Sequence, residues 1–125
     1  MQIPPAVIVH SLVQVRCALA PGRPVTLLSA PGAAVYAGCL WWQEVLAQAR
    51  FDGVALLDCA DAPGRALEAL KLGLGGIVLH CPPAAFAVVA ELAATHDALL
   101  YAQAPPALDL AHPAAMRQLE AWLGG

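Results

Sequence analysis

Charge is scarce in this chain. Only 12% of its 125 residues are charged, about half the share of an ordinary soluble domain. Lysine occurs once, at Lys71, the five arginines are scattered, and the net charge is −3. Phosphate binding needs a basic face, so a nucleic-acid partner is excluded. Long uninterrupted hydrophobic runs are missing as well. Residues 25–42 and 72–90 carry no charge and reach the length of about 18–20 residues that a membrane helix needs. Ser29 and Pro31-Gly32 interrupt the first, however, and Gly75-Gly76 and Pro82-Pro83 the second, in the manner of turns between strands and helices. No basic stretch precedes the apolar residues 1–9, so no secretory signal is expected. The expectation is a cytoplasmic protein with no membrane partner.

No C-x-x-C pair is present either. Cys17, Cys39, Cys59 and Cys81 stand 22, 20 and 22 positions apart, a rhythm that follows a strand-helix repeat and argues against a zinc knuckle or a thioredoxin-type centre. Free thiols in a reducing compartment are predicted, with no metal and no cofactor. G-x-x-x-x-G-K-[ST], G-x-G-x-x-G and G-x-S-x-G are all absent, which removes the nucleotide-binding and hydrolase signatures.

What the chain has is 60% hydrophobic residues, enough for one α/β domain over 1–125 with a sizeable core. Strand-like and helix-like segments alternate throughout, the pattern of a parallel sheet flanked by helices. Strands are predicted at 6–10, 25–29, 54–58, 77–80 and 98–102. Helices are predicted from Ser11 to Gly22, over 33–50, from Asp61-Ala62-Pro63 to Gly73, from Pro82-Pro83 to about Thr95, and over 113–123. Ser11 and Asp61 fit as caps and Pro63 as a first helical residue. Gly38 is expected on the inner face of the second helix, easing its approach to the sheet. The fold expected is a three-layer open parallel five-stranded sheet with helices on both faces. A flavodoxin-like order 2-1-3-4-5 is preferred, a Rossmann-like 3-2-1-4-5 comes second, and half of a larger barrel third. Strand 1 borders the crevice in both open orders.

Five apolar runs end on a polar side chain: His10, Ser29, Asp58, His80 and Tyr101. Parallel strands would gather these along the carboxyl edge, where open α/β sheets bind ligands. The connection LDCADAPGR brings Asp58, Asp61 and Arg65 together, suited to a base or to an anion at a helix start. Cys81, just before a helix N-terminus beside His80, has the placement of a nucleophile. The small-residue turn around Ser29 and Gly32 would let backbone N–H groups approach a phosphate or carboxylate. Each also has a structural role: Asp58 and Asp61 as caps, Cys81 as a small buried hydrophobe, His80 as a hydrogen-bonded histidine and Arg65 as a solvated surface group. Asp109 and His112 read as caps of the last helix, and His96 as a helix-end residue.

Ser29 with a histidine and Asp58 has the composition of a hydrolytic triad but no supporting spacing. The catalytic candidates are thus His10, Asp58, His80 and Cys81, and the ligand-binding candidates Ser29, Gly32, Asp61 and Arg65. A small anionic metabolite is the preferred ligand, since helix N-termini converge at this edge. The alternative is a non-catalytic module for partner binding or homo-oligomerisation. A homo-oligomer is expected, through the helix AAFAVVAELAA, whose one charge is Glu91, or the second helix, flanked by Trp41, although alanine-rich helices are also what a GC-rich bacterial genome encodes.

Overall fold

The computed structural model describes residues 2–124. Its elements are β1 (Ala6–Val9), α1 (Leu12–Leu19), β2 (Thr26–Ser29), α2 (Ala33–Tyr36), α3 (Cys39–Gln48), β3 (Ala55–Asp58), α4 (Pro63–Lys71), β4 (Gly76–Val78), α5 (Pro83–Thr95), β5 (Leu99–Tyr101), β6 (Ala107–Asp109) and α6 (Ala115–Gly124). The α/β class and the open parallel sheet are as expected. The strand number and order are not: six strands lie in the order β5-β4-β3-β2-β1-β6, in place of 2-1-3-4-5 or 3-2-1-4-5. The added strand lies in a segment whose flanking prolines, Pro105-Pro106 and Pro113, give it the look of a loop. It pairs parallel to β1, Ile8 standing opposite Asp109.

From β1 to β5 the chain steps in one direction. Right-handed crossovers then place every connecting helix on the same face. The buried residues agree. Val15 of α1, Ala33 of α2, Trp42 of α3, Leu70 of α4, Val89 of α5 and Leu119 of α6 share one core with Val7, Leu27, Leu57 and Ile77. The helices expected on both faces thus gather on one. The other face holds a smaller cluster of Leu28, Leu56 and Val78, with Ile3, Ile8, Leu99, Tyr101 and Ala107 against it.

That second face is nevertheless dry, Leu56 and Leu28 being 0% and 1% exposed. Curvature explains it. Six flat strands would put β5 and β6 about 24 Å apart, and residues 102–106 must also return along the strand direction. An extended link of that length spans only about 20 Å. The sheet therefore curls, bringing Leu99 and Tyr101 of β5 and Ala107 of β6 onto the same small core, as in the side-chain-filled interior of a narrow barrel.

Local signals explain most boundaries. Ser11 caps α1, its Oγ accepting from Gln14 N, and Gly22 leaves the helix at φ 71°. Pro63 opens α4 as predicted, but the cap residue is Ala62 and makes no side-chain bond, so Asp61 does not cap and stands exposed. The predicted long helix is broken at Gly38, which at φ 94° separates α2 from α3. Gly38 is a hinge in the chain path, and a Cβ there would meet nothing within 4 Å.

Candidate functional site

Side chains alternate across a strand, so the residue that follows Leu56 by two positions inherits its face. Asp58, the last residue of β3, falls on the concave side by that alternation, His10 and His80 follow β1 and β4 at the same carboxyl edge, and Tyr101 lines the concave side from β5. In βα barrels this is the end where chemistry is built.

His10 does not stand alone. Its Nε2 lies 2.8 Å from Oδ1 of Asp109, at the end of β6, and its backbone N–H donates to Gln14 Oε1 at 2.8 Å. The carboxylate thereby orients the ring and favours a proton on Nε2. Both side chains keep solvent contact, at 33% and 27% exposure. Asp109 Oδ1 also accepts from Ala111 N at 2.9 Å. Burial would raise the Asp109 carboxyl, but the Ala111 N–H, the hydrogen bond and charge of His10 and the charge of His112 hold it below its usual value.

A carboxyl depressed in the fold stabilises it above the ordinary carboxylate range and loses that contribution as pH falls through the lower folded value. Acid should therefore release β6 from β1 before the central strands open. Hydrogen exchange would show it: the Leu110 N–H, bonded to Ile8 O at 3.1 Å, should lose protection first, and Asp109→Asn should abolish the pH dependence of that step.

Asp58 and Ser29 stitch neighbouring loops together. Ser29 is 1% exposed. Its Oγ accepts from Asp58 N at 2.8 Å and donates to Ala30 O at 3.2 Å. Asp58 Oδ1 in turn accepts from Gly32 N at 3.1 Å and Ala60 N at 2.8 Å. Ala60, held at φ 52°, passes the chain on by accepting from His80 N at 2.8 Å. The ends of β2 and β3 are thus tied by one carboxylate and that of β4 by the Ala60 carbonyl, and the Gly32 amide is spent inside the protein. His80 is exposed, joined to this network through its backbone.

The remaining candidates lie apart. Arg65 Nη1 pairs with Glu68 Oε1 at 2.7 Å on the surface of α4. Cys81 turns toward the helix-side core, its Sγ donating to Pro82 O at 3.7 Å. All four cysteines are free. Burial, then Cys39 and Asp58, push the Cys59 thiol up to about 12, and burial, with Glu68, raises Cys39. Neither is a thiolate at neutral pH. Among the described residues no group of three or more His, Cys, Asp or Glu is placed to hold a metal ion, and no helix is long and apolar enough to cross a membrane.

Asp109 is the residue that sequence reasoning placed wrongly in role. It stands 99 positions from His10, and the one available signal was an alternating apolar stretch, ALDL, ending a strand too short to stand out. On the helix side of the sheet a cavity of about 540 Å³ is formed by Leu108, His112, Pro113, Ala114, Ala115 and Gln118 at the β6–α6 junction. No protein-family model, curated protein or solved structure matches the chain.

Proposed function

We propose that the chain is a single small-molecule-binding domain whose site is the concave carboxyl edge of the sheet, with a small anionic metabolite as ligand. The observation that carries this is the His10–Asp109 pair, found at the same strand-end edge as Asp58 and His80. His10, oriented by the carboxylate, exchanges a proton with the ligand. The anionic preference comes from α4 and α5. Both helices begin without a side-chain cap; Pro63 and Pro83 carry no N–H, which leaves the Gly64 amide of α4 and the Ala84 and Ala85 amides of α5 for an anion beside His80. The Asp58 carboxylate opposes this less than its charge suggests, because two backbone N–H groups already neutralise one oxygen.

Inorganic phosphate titrated against the four histidine imidazoles by ¹⁵N NMR tests the reading. The His10 and His80 resonances should move, and His96, at the opposite end of α5, should not. Losing one charge-assisted bond in His80→Ala should weaken phosphate about tenfold. Histidines that ignore phosphate, together with a dimeric mass by light scattering, would transfer support to a homo-oligomerising module. That second reading rests on Val13, Val35, Tyr36 and Leu40, four large apolar side chains exposed on α1, α2 and α3.

A further inference from the structure

The opposite edge of the sheet, where the strands begin, holds a cavity of about 570 Å³, within the range of small-molecule sites. Leu46, Phe51, Val54, Leu74 and Leu99 give it an apolar wall, and its two charged groups are the carboxylates of Asp52 and Asp97.

Three helices end here in the same way. Arg50, Gly73 and Asp97 each take the left-handed conformation after α3, α4 and α5. The next residue then bonds back into its helix: Phe51 N to Leu46 O at 3.1 Å, Leu74 N to Ala69 O at 3.1 Å and Ala98 N to Ala93 O at 2.9 Å. These are Schellman turns. They aim the partly negative C-terminal ends of three helices at one place, where a cation is favoured. Arg50 and Lys71 are exposed nearby and contribute no wall to the cavity.

The geometry points to a second binding site at this edge, for a small organic cation: an ammonium group on an apolar body. The body lies against Phe51, Leu74 and Leu99, and the ammonium meets Asp52, Asp97 and the helix carbonyl ends. The site is independent of the one at the carboxyl edge, and its charge preference is the reverse.

Phenethylamine and 3-phenylpropionate share an apolar body and differ in the sign of the charged end, so they are the probes. Titrated into the full chain and followed by ¹H–¹⁵N NMR, phenethylamine should shift the amides of Gly53, Gly73 and Gly75, and phenylpropionate should bind at least tenfold more weakly. Asp52→Asn and Asp97→Asn should each weaken phenethylamine about fivefold; asparagine tolerates the left-handed backbone of Asp97, so the fold is kept. Gly75→Val should block the site, since a Cβ there meets nothing within 4 Å and strains nothing. Equal binding of the two probes, shifts confined to the carboxyl edge, or asparagine variants that bind phenethylamine as the wild type does would each overturn the proposal.

Discussion

Gly76→Ala should destabilise the protein by about 3 kcal/mol, the upper part of the range for an overfilled core. The added Cβ would fall 2.6 Å from Leu56 Cδ2 and 2.8 Å from Ala55 O. Neither neighbour can yield. Leu56 is fully buried in the small core of the concave face, and the Ala55 carbonyl belongs to the adjoining strand. Gly76 stands opposite Leu99 of β5, so it sits where Leu56 and Leu99 close over the curled sheet. A urea midpoint measures the loss. Leu56→Ala removes one of the two obstructing atoms, so the double variant should lose less than the sum of the two single losses, and the difference is the coupling energy between the two positions. An unchanged midpoint in the single variant would mean that β3 and β4 approach less closely than the curl requires.

Trp42→Ala should cost about 4 kcal/mol, in the range for deleting a buried aromatic side chain. Trp42 is 1% exposed and is among the largest side chains in the helix-side core. Its ring centroid lies 5.8 Å from that of half-buried Trp41, inclined by 37°. The position matters because α3 begins afresh after Gly38 and gains little from α2. What seats α3 on the sheet is the row Cys39, Trp42 and Val45, its three buried residues. Typical stabilities are about 5–15 kcal/mol, so the variant should be partly unfolded at moderate temperature, with a calorimetric transition many degrees lower. A loss below 1 kcal/mol would show that the helix is held by other contacts.

The elements were largely legible because each signal was local. Continuous apolar runs marked β1 to β5, Ser11 and Gly22 bounded α1, and Pro63 opened α4. Gly38 misled because a glycine permits both a close approach and a left-handed turn, and the choice depends on tertiary surroundings. Strand order was not legible. Period-2 and period-3.6 patterns say which face is buried, and nothing about which strand lies beside which. The distribution of helices followed from that order. At the carboxyl edge the sequence named His10, Asp58 and His80, which come to one edge because each ends or closely follows a parallel strand. It did not name Asp109 as the partner of His10, since that pairing depends on β6 returning to β1. Nor did it separate Asp58 the ligand candidate from Asp58 the tie between loops; the residue type suits both.

The placement of β6 also sets an order of events. Each pairing from β1 to β5 joins strands that are near neighbours in the chain, and these close short loops at small entropic cost. The β1–β6 pairing joins Ala6 to Ala107 and has to wait until Ala107 has been made. During synthesis, β1 therefore keeps one ladder of N–H and C=O groups unpaired while the rest of the sheet grows from its other side. β6 covers β1, and until it arrives the nascent protein carries an open edge there, able to recruit a foreign strand.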